Sequence, residues 1–128
     1  MTITKSILIV EDHPDMRELL GKQIEMMGFK IIVSKDGKEG LEKAVAQKPD
    51  LIMMDMMMPE MDGWEAVRAL RADPRTKAVP ILATTALYRS ADLKACIEAG
   101  CTSYLVKPFT LSDLETKIHH LLGRYPLE

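Results

Sequence analysis

The chain has little of several things that commonly organise a small protein. It holds two cysteines in 128 residues, Cys96 and Cys101, and they do not form a Cys-x-x-Cys pattern. A disulfide framework or a thiolate metal centre is therefore excluded as the organising principle, and the pair reads as free thiols of a reducing compartment. No stretch approaches the ~18 consecutive apolar residues of a membrane span. Met1-Thr2-Ile3-Thr4-Lys5 lacks the apolar run of a secretory signal. Neither sign of charge dominates, since 17 basic residues face 19 acidic ones for a formal charge of −2. A protein that coats nucleic acid is usually strongly basic, so direct nucleic-acid binding is not expected. No Gly/Ser-rich linker, charge block, low-complexity tract or internal repeat divides the sequence. The expectation is a single domain over residues 1–128, soluble and cytoplasmic. An apolar fraction of 47% suffices for one closed core.

What is present is a short apolar run followed by a helical pattern, five times over. The runs are Ile7–Val10, Ile31–Val33, Leu51–Met54, Ile81–Ala83 and Tyr104–Val106. They are continuous rather than alternating, the pattern of strands buried on both faces of a helix-covered parallel sheet. Between them lie stripes at helical spacing. Met16, Leu19, Leu20, Ile24 and Met27 form the first, opened by Pro14 and closed by Gly28. Leu41, Ala44 and Val45 form the second, stopped by Pro49; Ala66, Val67 and Leu70 the third; Leu93, Cys96 and Ile97 the fourth, ending at Gly100. Thr110 to Asp113 resembles a capping box ahead of Leu114, Ile118, Leu121 and Leu122. Five such alternations predict an α/β fold, a doubly wound (βα)5 with a five-stranded parallel sheet. The flavodoxin-like strand order 2-1-3-4-5 suits it, with strands 1 and 3 adjacent at the switch point where ligands bind.

The polar residues at the carboxyl ends of those strands are Glu11 and Asp12, Asp55, Thr84 and Thr85, and Lys107. The fold would gather three carboxylates, a hydroxyl and an ammonium in one crevice. Crowded carboxylates raise one another's pKa, and a divalent cation relieves the conflict. Ligands that are all oxygen, with no Cys or His cluster, point to Mg²⁺ or Mn²⁺. Lys107 offers a point charge and Thr85 a hydrogen bond to a phosphate oxygen. That set suits the charge spread over a transferring phosphoryl group, with a central carboxylate as nucleophile.

Taken in order, these residues resemble the response-regulator receiver domain over nearly the whole chain. The resemblance rests on Glu11-Asp12 after the first strand and on Asp55-Met56-Met57-Met58-Pro59-Glu60-Met61-Asp62-Gly63. It continues in Pro80-Ile81-Leu82 running into Thr85-Ala86, and in Tyr104-Leu105-Val106-Lys107-Pro108-Phe109. It implies that Asp55 is the phosphoacceptor and that Asp12, Asp55 and the Met57 backbone carbonyl ligate Mg²⁺ directly. Glu11, where Asp is commoner, would act directly or through water. Lys107 would bind the phosphoryl group across a cis bond to Pro108. Thr85 would be the switch hydroxyl and Tyr104 the aromatic switch residue, reshaping helix 4, strand 5 and helix 5.

The implied phosphodonor is a sensor histidine kinase or a histidine-phosphotransfer protein. The implied output is a protein target, with a homodimer through helix 4 to helix 5 left open. Such a domain is a switch rather than an enzyme, catalysing only its own phosphorylation and slow self-dephosphorylation. Met57 offers no polar side chain to orient water, which favours a long-lived phosphoryl group. An aspartate-nucleophile phosphatase is the alternative, disfavoured because Met57 stands where such enzymes commonly place a second acid. A flavodoxin-like module for nucleotide or flavin is another, disfavoured by the lack of a Gly-x-Gly-x-x-Gly or P-loop after strand 1. His13 reads as a helix-start residue, and His119 and His120 as partly exposed on the last helix. Met53 and Met54 read as core, and the other methionines up to Met61 as loop residues.

Overall fold

In a computed structural model, which describes residues 4–58 and 63–122, the alternation is complete. The elements are β1 (Ser6–Val10), α1 (Pro14–Met26), β2 (Lys30–Ser34), α2 (Gly37–Gln47) and β3 (Leu51–Asp55). They continue with α3 (Gly63–Ala72), β4 (Ile81–Thr85), α4 (Ser90–Ala99), β5 (Ser103–Val106) and α5 (Leu111–Leu122). All strand pairs are parallel, and the order is β2-β1-β3-β4-β5.

Side chains alternate across a strand, so each strand feeds two cores. Ile7 and Ile9, with Leu51, Met53, Leu82 and Leu105, pack against Leu20 and Ile24 of α1 and Leu114 and Ile118 of α5. Leu8 and Val10, with Ile52, Met54, Ile81 and Ala83, pack against residues of α2, α3 and α4. Two layers of helices thus enclose the sheet, and its middle strands see no water.

The reading of all five runs as buried on both faces holds for β1, β3 and β4. It fails at β2 and β5, where burial is partial. Each has a neighbouring strand on one side only, and Val33 of β2 stays exposed. Leu19 and Ile97, assigned to helix stripes, are 50% and 44% exposed because they lie at the stripe margins. Met56 and Met58 lie in the loop after β3 as expected, but their side chains are buried in the core beside α3.

Helix ends follow their sequence signals. Pro14 opens α1 behind His13, whose ring accepts a long bond from the Met16 amide at 3.4 Å. Gly28 follows with φ +101°. Thr110 and Asp113 form the reciprocal box, each amide donating to the other's side chain at 3.0 Å. The second helix ends ahead of Pro49 on Lys48, whose φ of 48° is left-handed.

Candidate functional site

Register brings the predicted residues together. Val10 pairs with Met54, and Asp55 with Thr84. Glu11 and Asp12 therefore leave β1 next to Asp55 at the end of β3. Carboxylate oxygens of Glu11, Asp12 and Asp55 lie within 4.8 Å of one another, a spacing that could hold one metal ion. Glu11 and Asp55 are buried, and Asp12 is more open. The Lys107 ammonium reaches across from the end of β5, 3.4 Å from Glu11 Oε1 and 3.7 Å from Asp55 Oδ2. Its own amide donates to the Thr85 carbonyl at 2.7 Å, and the Lys107–Pro108 bond is cis, as the resemblance implies.

One ammonium does not balance three carboxylates. Burial pushes the Glu11 carboxyl above its ordinary value, and the Asp55 charge adds to the rise. Buried like charges of this kind call for a cation, and hard oxygen donors with no sulfur among them fit Mg²⁺ or Mn²⁺. The acidic triad thus passes the chemical test for a divalent metal site.

Asp55 Oδ1 accepts the Met57 amide at 3.0 Å, which turns the chain sharply after β3. The Met57 side chain itself is 54% exposed. Residues 59–62 of the motif lie outside the described residues. Gly63 follows them, and a Cβ there would lie 2.4 Å from Met56 Cα and 2.6 Å from the Asp55 carbonyl oxygen. Only glycine lets α3 start so close to the acceptor loop.

Thr85 is fully buried, and its hydroxyl accepts the Leu87 amide at 3.0 Å. The hydroxyl proton remains available to donate elsewhere. Thr84 is buried beside it and gives its carbonyl to the Met56 amide at 3.0 Å. Tyr104 is half-buried against the α2–α4 side of the core, with the Lys117 ammonium 5.5 Å from its ring centroid. His13 caps α1 rather than joining the triad. His119 lies tilted against Phe29, with ring centroids 6.4 Å apart.

Sequence reasoning missed Arg17. Its guanidinium donates to the Glu11 carbonyl at 2.8 Å and toward the Asp12 carbonyl at 3.5 Å. The only signal available was a basic residue in the second turn of a helix that follows an acidic pair.

Comparison with known proteins matches residues 7–119 to the family model described as response regulator receiver domain. This chain belongs to that family. The receiver is the phosphoacceptor switch module of two-component signal transduction, and the fold and the acidic triad accord with it. Over 118 residues it is 37% identical to the DNA-binding dual master transcriptional regulator RpaA of Synechocystis, covering 92% of this chain and 49% of that protein. The receiver spans about half the length of the curated relatives it matches. The chemotaxis protein CheY4 of Vibrio cholerae superposes with a TM-score of 0.89 at 30% identity, over 94% of this chain and all of that one. The receiver domain of sensor histidine kinase PA1611 from Pseudomonas aeruginosa superposes at 0.87 and 32% identity, over 95% of this chain and all of that one. That structure has a magnesium ion coordinated in its active-site cleft.

Proposed function

We propose that this receiver takes a phosphoryl group onto Asp55 from a phosphohistidine, in a Mg²⁺-dependent reaction in the cytoplasm. The donor is a sensor histidine kinase or a histidine-phosphotransfer protein. The observation that carries the reading is the convergence of three carboxylates under one lysine, in a chain of this family. Glu11, Asp12, Asp55 and the Met57 carbonyl would hold Mg²⁺, which when bound supplies positive charge to the phosphoryl oxygens. An Asp55 oxygen attacks phosphorus, the new O–P bond forms, and the P–N bond to the donor imidazole breaks. Lys107 pairs with a phosphoryl oxygen and keeps the donor aligned.

The added charge then acts as the signal. Thr85 turns its free proton toward a phosphoryl oxygen, space opens behind it, and Tyr104 moves in. The surface of α4, β5 and α5 changes and is read by a protein target, or by a second copy of the domain. The domain itself contacts no nucleic acid, and its only chemistry is its own phosphorylation and slow self-dephosphorylation.

Intact mass after incubation with acetyl phosphate tests the first step. A Mg²⁺-dependent single phosphoryl adduct is expected on the parent and none on Asp55→Asn; no adduct on the parent under any condition sinks the reading. Thr85→Ala tests the second step. It should still take the adduct, while losing the phosphorylation-dependent change in hydrogen exchange over residues 86–106. An unchanged exchange response in that variant removes Thr85 from the route.

A further inference from the structure

The loop between β1 and α1 must satisfy its own backbone groups while presenting two carboxylates. The Glu11 amide still belongs to the sheet and donates to the Ser34 carbonyl at 3.1 Å. The His13 amide donates to Glu11 Oε2 at 3.2 Å, and the His13 carbonyl accepts the Arg17 amide at 2.9 Å, the first bond of the helix. Between these lie the carbonyls of Glu11 and Asp12, which have left the sheet and not yet joined the helix. One nitrogen, Arg17 Nη1, is aimed at both, at 2.8 and 3.5 Å. Arg17 also lines a shallow groove with Asp15, Glu18, Gly21, Ile31 and Val33.

We propose that Arg17 is a positioning residue of the phosphoacceptor site, fixing the backbone of Glu11 and Asp12 so that both carboxylates converge on Asp55. The inference rests on the receiver reading above and extends it to a residue outside the acidic crevice. Guanidinium suits the task for two reasons. Its nitrogens carry donors in a fixed plane, and it is a cation that suits carbonyl oxygens. Both carbonyl oxygens lie within reach of the same nitrogen, so one positive charge serves two carbonyl dipoles. Without it, the two carbonyls would turn toward water, and Glu11 and Asp12 would rotate with them. Partners that orient metal ligands typically matter about 10- to 100-fold in metal affinity.

The test uses the full chain and Mg²⁺ alone as the first probe, followed by acetyl phosphate. Arg17→Met keeps most of the stem against the groove and removes the donors. Arg17→Lys keeps the charge and can donate, without the planar fork. Calorimetric titration should show Mg²⁺ binding at least about tenfold weaker in Arg17→Met, with Arg17→Lys between it and the parent. Raising Mg²⁺ should restore much of the phosphorylation rate lost in Arg17→Met, with the half-saturating Mg²⁺ concentration shifting more than the plateau, because the lost interaction acts first on binding of the ion. Unchanged Mg²⁺ affinity in Arg17→Met overturns the proposal. So does a loss at saturating Mg²⁺ that tracks a drop in melting temperature, which marks a purely structural role. If Arg17→Met does not fold, Arg17→Lys decides by the same two readouts. A parent that takes neither Mg²⁺ nor phosphoryl group overturns the receiver reading and this proposal together, and that failure is visible before any variant is made.

Discussion

Asp55 meets its neighbour Met57 through the backbone and not through the side chain. The Met57 amide donates to Asp55 Oδ1, while the thioether chain is half out in solvent with nothing polar to offer a water. Hydrolysis of an aspartyl-phosphate needs a water held in line behind phosphorus. Met57→Asn places an amide at that rim, and the phosphoryl lifetime should shorten several-fold, as read by intact mass after the donor is removed. An unchanged lifetime would show that this side chain does not limit access of water. The residue scale also shows what sequence can reveal. The convergence of Glu11, Asp12, Asp55 and Lys107 was legible because each stands at the carboxyl end of an apolar strand, where the switch point of the sheet gathers polar groups. Arg17 was not, since it works on carbonyls, and main-chain acceptors leave no mark in the sequence. Nor was the burial of Met56 and Met58, because an unbranched thioether suits a core gap and a loop equally well.

At the scale of elements, the end of α4 shows several local signals agreeing. The Gly100 amide donates to the Ile97 carbonyl and the Cys101 amide to the Cys96 carbonyl, with Gly100 at φ +123°, the pattern of a Schellman cap. Cys96 and Cys101 are the apolar pair that such a cap brings together, and burial pushes the Cys101 thiol up to about 12. Both cysteines are free, as the sequence indicated. Arg71 of α3 then ties this cap to the sheet. It donates to the carbonyls of Gly100, Lys77 and Val79 and to the Thr102 hydroxyl. Two loops, the one between α3 and β4 and the one between α4 and β5, meet on one half-buried guanidinium, and burial lowers its pKa. Truncation leaves those carbonyls to find water. Arg71→Ala should therefore cost about 2–4 kcal/mol in urea unfolding, several modest hydrogen bonds taken together. A loss under about 0.5 kcal/mol, the range of an ordinary surface change, would mean that water replaces the arginine fully. The apolar runs located every strand, but they could not distinguish edge from centre. Being an edge strand is a property of sheet order, and Val33 on the edge strand β2 is exposed.

For the whole molecule, strand order is what turns three separated carboxylates into one site. Pairing β1 with β3 places Glu11 and Asp12 beside Asp55, and among the described residues Lys107 is the cation paired with that cluster. Stability given up at a site is commonly the counterpart of function there. In chelator, Asp55→Asn should therefore melt above the parent. Mg²⁺ should raise the parent's melting temperature by linkage and the variant's much less. The same crowding gives the pH dependence a definite sign. Glu11 has an ordinary value of 4.5 and a higher one in the fold, chiefly through burial and then through Asp55. Below 4.5 it is protonated folded or unfolded, and the neutral carboxyl contributes its full stability. As the pH rises through the folded value, the proton leaves a buried group beside another carboxylate, and that contribution is lost. Urea unfolding in chelator should thus show the parent gaining on Glu11→Gln as the pH falls toward the ordinary value of 4.5, since the variant has no proton to take up there. Saturating Mg²⁺ should flatten that gain, because the ion favours the charged carboxylate. A difference between parent and variant that stays constant over the same range would mean that Glu11 keeps its ordinary affinity for the proton in the fold, and that the crowding of the triad is relieved by some route other than protonation.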